Sequence, residues 1–461
     1  MEIQNKPKLS FGNIWNMNFG FFGIQFSFGL QQSNMSAIYS YLGANPEDLA
    51  ALWLAGPVTG LVVQPIIGAI SDGTWSPKFG RRKPFFLIGA ILASIALIAM
   101  PFSSTIWMAA GLLWILDAAN NIAMEPYRAF ISDKLPKQQH SLGFLMQSFF
   151  TGLGTTMANF MPAILVSMGI LALSDKMGNG IPVFTYWAFG IGAFASIATV
   201  LFSVLTTKEY PPTAEELKRI EEEKAKGNLL GRTLTEIVEA IKDMPATMKQ
   251  LIPVQFLTWF GMFCYWQYIT LALSRSLYGT IDHTSDAFSS AQLLTGEING
   301  TYNIICFTVA FLLVPLARYM GAKRVHFICL SIGGLGLILM QFLNDTDVLF
   351  YIWNPFGETV AFTQIYLLSI GLGLTWASAM AMPYKLLVGS IPTNKTGVYM
   401  GIFNMFIVIP MAIQIFMMQF FLFDLLGADP IKVITLAGVC LIGGGVFSLF
   451  IKDAQTAQSN G

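Results

Sequence analysis

The chain has 461 residues, of which 54% are apolar and only 11% charged, with a formal net charge of zero and a mean hydropathy of +0.60. Soluble domains carry roughly 25% charged residues, so a water-borne fold of this length would lack a surface; soluble enzymes, nucleic-acid binders and disordered chains are excluded as classes. No polyanionic partner is implied by the charge balance, and 42 Gly with 38 Phe suit close helix packing in lipid, so the chain reads as an all-α polytopic membrane protein and not an enzyme.

A membrane-crossing helix needs about 20 apolar residues. Twelve such segments are predicted in chain order: 14–42, 48–71, 84–103, 106–132, 141–169 and 183–206, then 250–278, 296–317, 324–343, 361–388, 396–423 and 430–451. Open sheets are excluded because lipid leaves unpaired backbone groups unsatisfied, and the runs are too long and evenly apolar for barrel strands. No small-residue cleavage site follows the first segment, so it is expected to stay as the first helix. The stretch 207–249 is the polar break; "PPTAEELKRIEEEKAKGN" from Pro211 reads as a solvated amphipathic helix. The expected organisation is a six-helix bundle over 1–206, a cytoplasmic linker over 207–249 and a second bundle over 250–461. Cys264, Cys306, Cys329 and Cys440 stand singly in apolar segments, which argues against disulfides and zinc.

Placing the N-terminus inside puts Lys6, Lys8, Lys78, Arg81, Arg82, Lys83, Lys134, Lys137, Arg318, Lys323, Arg324, Lys395 and Lys452 on the cytoplasmic side, with eight more Lys and Arg in 207–249. Only Lys176 and Lys432 remain outside. The positive-inside rule therefore places both termini in the cytoplasm.

The halves repeat. "PYRAFISDKLP" from Pro126 and "PYKLLVGSIP" from Pro383 close the fourth and tenth segments; "GAISDGTWSPKFGRRKP" from Gly68 and "PLARYMGAKRVH" from Pro315 close the second and eighth. Six helices, a charged linker and six related helices form the major facilitator pattern, in which two pseudo-symmetric halves move around a central site. Gly68, Asp72, Gly80, Arg81, Arg82 and Lys83 resemble the loop signature of that superfamily. Asp72 with Arg81 or Arg82 suits a gating latch, released in one state and closed in the other; plain positive-inside anchoring accounts for the cations but not for Asp72. Lys385 occupies the place of Arg128 in the second half and reads equally as a gate or as a snorkelling anchor.

The fourth segment, "LLWILDAANNIAMEPYRAFISD", carries a carboxylate at mid-depth, Asp117. Burying one there costs about 2.5–3.5 kcal/mol on insertion scales, and such residues are functional by default. At 100° per residue Asn121 lies about 40° and Arg128 about 20° from the Asp117 line, with Arg128 about 16 Å further along the helix. Asp117 is the candidate proton site, since burial and neighbouring charge compete over its protonation; the competing reading is a permanently paired structural carboxylate. Neutral amides also populate the spans: Asn18, Gln25 and Gln32 at spacing seven, and Gln64, Gln147, Asn159, Gln267, Asn303, Asn404 and Gln414. Amides offer donor and acceptor without charge, which suits a polyhydroxylated neutral ligand. Trp53, Trp114, Trp266, Tyr268 and Trp376 offer flat faces for such a solute; amides that join helices and aromatics at the interface are the alternative.

Four stretches resemble the sucrose–proton symporters of plants and their bacterial and animal relatives, in the glycoside–cation symporter branch of the major facilitators. They are "FGIQFSFGLQQS" from Phe22, "WLAGPVTGLVVQPIIGAISD" from Trp53, "LDAANNIAMEPYRA" from Leu116 and "NMFIVIP" from Asn404; "FGRRKPF" from Phe79 and "LTWF" from Leu257 agree. The resemblance implies a proton-linked carboxylate at Asp117, a transport-essential Arg128, the paired Asn120 and Asn121, and the amides Gln25 and Gln64. Glu125 stands where plant members carry an uncharged residue, the seventh segment lacks their acidic residues, and the short first outside loop lacks their His.

Together these readings give a twelve-helix proton-coupled importer of a neutral disaccharide, sucrose or maltose, in the plasma or inner membrane. The proton is the coupling ion, no other cofactor is expected, nucleic acid is no partner, and a monomer suffices. Proton coupling falls to Asp117 and transport to Arg128; sugar contacts fall to Gln25, Gln64, Asn120, Asn121, Gln267, Tyr268 and Asn404; gating falls to Asp72, Arg81, Arg82 and Lys385. A sodium-coupled symporter, a sugar exporter and a non-transporting sugar sensor are the alternatives.

Overall fold

The structure, a computed structural model, describes residues 6–77, 79–211, 218, 241–353, 359–388 and 396–452. Among them twelve α-helices of seventeen residues or more follow in order: α1 Phe11–Tyr41, α2 Ala55–Asp72, α3 Lys83–Ala99, α4 Ile106–Lys134, α5 His140–Ser167, α6 Val183–Thr206, α7 Ala246–Tyr278, α8 Asp286–Tyr319, α9 Ala322–Leu339, α10 Leu367–Val388, α11 Thr396–Met417 and α12 Pro430–Leu449. Apart from Pro211 and Lys218, the expected amphipathic helix in 211–228 lies outside the described residues.

Among the described residues, ten segments are long and apolar enough to cross a membrane. The exceptions among the long helices are α1 and α7, which at 31 and 33 residues are also the helices most surrounded by protein. A helix wrapped by its neighbours is free of the apolar demand that lipid makes on an outer helix, so these two can carry polar residues along much of their length.

The chain divides into two compact units, Met1–Gly43 with Leu54–Leu230, and Ala44–Trp53 with Gly231–Gly461. In the first, α1 lies against α5 and α6, α3 bridges α4 and α6, and α2 rests on α4. Ser10 caps α1 by accepting from the Asn13 amide, and Thr105 caps α4 by accepting from the Met108 amide. The core of this unit joins Met17, Phe21 and Ile24 of α1 to Phe86 of α3, Tyr127 and Phe130 of α4, Phe150 of α5 and Val200 of α6. The Tyr127 hydroxyl donates to the Met17 carbonyl at 2.6 Å, so the largest side chain of that core is satisfied as well as packed.

In the second unit α7 is central, packed against α12, α11 and α8, with α9 against α10 and α12. Gly334 of α9 and Gly438 of α12 face each other so closely that a Cβ on either would collide with the other's carbonyl oxygen, the small-residue contact that helices in lipid use to approach. Leu49–Leu52, a single helical turn, groups with this unit, where Trp53 meets Phe263 edge-on at 6.0 Å and Gln419 donates to Asp48.

One local expectation is corrected. The segment predicted to be helical from 361 instead begins as a strand: Val348–Trp353 (β1) and Thr359–Thr363 (β2) form an antiparallel hairpin, and α10 starts at Leu367. "TVAFT" is rich in β-branched and aromatic residues, which favour strands, and Phe362 stacks on Phe350 across the pair at 4.5 Å.

Candidate functional site

Asp117 is buried near the middle of α4, and its partner is a residue that spacing did not select. Gln31 of α1 donates from Nε2 to Asp117 Oδ1 at 2.6 Å. One turn back on α1, Ser27 donates to Asn120 Oδ1 at 3.1 Å, and two residues before it Gln25 meets the Met124 sulfur at 3.7 Å. Ser27 and Gln31 are four residues apart and share a face; α1 and α4 run antiparallel, so ascending positions on one meet descending positions on the other. Asn121 turns toward α2, where it accepts from Gln64 Nε2 at 2.6 Å and donates to Thr59 Oγ1 at 3.2 Å, while also donating to the Asp117 main-chain carbonyl at 2.9 Å. Gln25, Gln64, Asn120 and Asn121 are therefore drawn into one polar seam of α1, α2 and α4 with Asp117 within it.

The seam is incompletely paired. Asp117 Oδ2, Gln31 Oε1 and Asn120 Nδ2 are buried with no hydrogen-bond partner. Buried polar groups are normally satisfied, and leaving one unmade costs about 1–3 kcal/mol. Two acceptors and a donor on adjoining turns thus form a cluster able to take a proton or the hydroxyls of a neutral solute. Among the described residues no cation pairs with Asp117.

Arg128 lies on the same helix but outside this seam. Its side chain is half exposed and stands 4.0 Å from Glu125 Oε2, one turn away. Sequence reasoning gave Glu125 no physical role; the structure makes it the counter-charge of Arg128, set against Gly68 of α2. On the second unit Lys385 is exposed and donates to the Ala317 carbonyl of α8 at 3.5 Å.

The turn between α2 and α3 is an anion cradle. The backbone amides of Arg81, Arg82 and Lys83 all donate to the Glu209 carboxylate, at 2.7, 3.1 and 2.9 Å. Successive amides at a helix N-terminus favour a negative group. Gly80 makes the approach feasible: its φ is +81°, and a Cβ there would lie 2.6 Å from the Glu209 carboxyl carbon. The Arg82 side chain is buried, with Nε 2.7 Å from Asp133 Oδ2 and Nη1 2.6 Å from Ser71 Oγ. Arg81 Nε donates to the Ser71 carbonyl at 3.4 Å. The Asp72 side chain lies outside the described residues, so the carboxylates the structure gives to this turn are Asp133 and Glu209. Neither was selected from sequence, because both lie where a helix runs out into polar chain, among many other solvated charges.

In the second unit Gln267 of α7 is buried and accepts from Gln414 Nε2 of α11 at 2.9 Å; Gln414 also meets the Cys264 sulfur at 3.4 Å. Tyr268 is buried and stacked on Phe423 at 5.4 Å. Asn404 stands half-buried on α11. Trp266 and Trp376 join Trp259 in a cluster of indoles, with centroids 5.3, 5.7 and 6.3 Å apart, and Trp266 Nε1 donates to the Tyr302 hydroxyl at 3.4 Å. Trp259 and Tyr302 were not anticipated; the spacing of Trp259 and Trp266, seven residues on one helical face, is the signal that finds the first.

Comparison with known proteins agrees with this architecture. The Major Facilitator Superfamily profile matches residues 17–415. Among curated relatives, sucrose transport protein SUC4 of Arabidopsis thaliana is 27% identical over 85% of this chain and 80% of its own length. Sucrose transport protein SUC3 of the same plant is 24% identical over 95% and 84%. Among solved structures, the nucleoside transporter NupG superposes with a TM-score of 0.65 at 14% identity over 95% of this chain and all of its own. A peptide transporter POT in complex with sulfate gives 0.64 at 13% identity, covering 96% and 95%. At these identities the solved structures speak for the fold alone.

Proposed function

The chain belongs to the Major Facilitator Superfamily, an integral membrane transporter and not an enzyme, and from that premise we propose that it is a proton-coupled symporter importing a neutral disaccharide of the sucrose or maltose type. The observation that carries the proposal is the Asp117 seam: a buried carboxylate held by one neutral amide, with Oδ2, Gln31 Oε1 and Asn120 Nδ2 left unpaired around it. The relatives named sucrose transport proteins support a sugar as the solute.

The chemistry follows from the donor and acceptor count. Deprotonated Asp117 is an acceptor only; a proton on Oδ2 removes the charge and turns that oxygen into a donor. A sugar hydroxyl, which both donates and accepts, then matches a cluster that can do both. Sugar and proton thus favour the same form of the protein, and each raises the affinity for the other. No covalent step is needed: transport is a shift between states that bind the pair differently. Arg128, paired with Glu125 a turn from the seam, is the transport-essential cation in this reading. Gln267, Tyr268 and Asn404 are the second unit's candidate sugar contacts; the gating groups are Asp72, Arg81 and Arg82 of the first unit and Lys385 of the second. The Lys and Arg distribution supports cytoplasmic termini on a chain in the plasma or inner membrane, and in this reading a monomer is sufficient.

Calorimetric binding of sucrose and maltose to the purified protein across pH tests this reading. The affinity of the wild type is expected to weaken as pH rises, while Asp117→Asn binds with little pH dependence. Equal pH dependence in the two proteins would remove Asp117 from the coupling.

A further inference from the structure

The second unit has a half-buried carboxylate of its own inside one of its long helices. Glu297 of α8 stands eleven residues past the helix start, about 16 Å along its axis. Thr295, Gly296, Ile298 and Asn299 around it are all buried. Its carboxylate accepts a hydrogen bond from the Tyr366 hydroxyl, just before α10. Among the described residues no cation pairs with it. Among the described residues the other ionisable groups that face this pair are Tyr278, at the end of α7, and Asp345, in the loop after α9. These two bond to each other, the Tyr278 hydroxyl donating to Asp345 Oδ2 at 3.1 Å. The cation near that end of α7, Arg275, is turned toward Asp429 at 3.7 Å.

The parallel with Asp117 is chemical. Each carboxylate lies inside a membrane-spanning helix, takes one hydrogen bond from a neutral donor on another helix or its entry turn, and lacks a compensating cation. A structural carboxylate within a membrane-spanning helix is ordinarily paired with a cation or with several donors, because an ionised carboxylate has about four acceptor positions to fill. One phenol fills one of them. An added proton fills another position and cancels the charge, and the neutral carboxyl keeps its carbonyl oxygen for Tyr366. The group therefore has two satisfactory forms that differ by one proton.

We propose that Glu297 is a second proton-binding site of this transporter, filled and emptied separately from Asp117. The site lies at the end of its bundle where α7 finishes and α8 and α10 begin, so a proton reaches it from that side. The inference goes beyond the assignment of Asp117 and does not require that the cargo be a sugar.

The test is infrared difference spectroscopy of the full chain in liposomes, titrated over the pH range in which exposed carboxyl groups, with pKa values of about 3.9–4.3, have already lost their protons. The wild type is expected to give a pH-dependent protonated-carboxyl band that Glu297→Gln lacks and Asp117→Asn retains. Glutamine has the same shape and still accepts from Tyr366, so the fold is kept. Tyr366→Phe should retain the band but move it to higher frequency, because the carbonyl loses its hydrogen bond. A spectrum that Glu297→Gln leaves unchanged, or a band that Tyr366→Phe does not move, overturns the proposal. Whether the wild type binds sucrose is measured separately and affects only the sugar assignment.

Discussion

Asp117→Asn separates coupling from folding more cleanly than any other substitution in this chain. The asparagine Oδ1 can still accept from Gln31, which reaches it at 2.6 Å in the native protein. Its Nδ2 takes the place of Oδ2, which points to the small residue Gly56, 3.9 Å from where a Cβ there would lie. The change adds no volume to a packed site and removes a group that costs about 2.5–3.5 kcal/mol to insert at mid-depth, so membrane insertion and melting should be preserved or improved. The loss is confined to the proton. An inward gradient of one pH unit carries about 1.4 kcal/mol per proton, which one coupled proton converts to about tenfold accumulation. In proteoliposomes loaded and diluted to impose that gradient, the variant should bring labelled sugar only to equal concentrations on both sides while still exchanging it against unlabelled sugar. Tenfold accumulation by Asp117→Asn would refute the reasoning, whatever its rate.

The remaining predictions concern the supports of the site. Gln31→Leu deletes the donor to Asp117 and leaves a carboxylate oxygen unmatched; a hydrogen bond to a charged group is worth about 1.5–3 kcal/mol, so sugar transport should fall by tenfold or more with the protein still folded, as read by uptake and melting together. Arg128→Ala should abolish uptake with normal insertion, and wild-type uptake in that variant would count against its role. Gly80→Ala must hold alanine at a left-handed φ and push the Glu209 carboxylate off its three amides, a cost of about 1–3 kcal/mol; a melting temperature equal to that of the wild type would show that the cradle does not hold. Arg82→Lys loses the forked donor shared between Asp133 and Ser71; since Asp133 is a third exposed, the expected destabilisation is modest, about 1 kcal/mol.

The sequence was most legible where one physical demand dominates. Lipid demands long apolar runs, and the helices lie close to where those runs lie. A carboxylate inside such a run is conspicuous, so Asp117 stood out. Its partner did not: the seven-residue stripe of Asn18, Gln25 and Gln32 names the wrong member of the Gln31–Gln32 pair, because only the docking of α1 on α4 decides which of two adjacent amides faces Asp117. Glu297 escaped for a different reason. It stands at the edge of the apolar run, where a charge looks like a helix end, yet α8 begins at Asp286 and carries it well inside. Glu209 and Asp133 are ordinary charges in sequence and acquire a role only when the turn at Gly80 brings three amides to one point. The hairpin at Val348–Thr363 hid behind a hydropathy that strand and helix share.

The most direct test of the central claim is uptake of labelled sucrose and maltose by the wild-type protein in proteoliposomes under an imposed inward proton gradient, with sodium absent. Accumulation above the external concentration that collapses when a protonophore is added is the predicted result. Accumulation that survives the protonophore, or that demands sodium, would contradict proton-coupled sugar import.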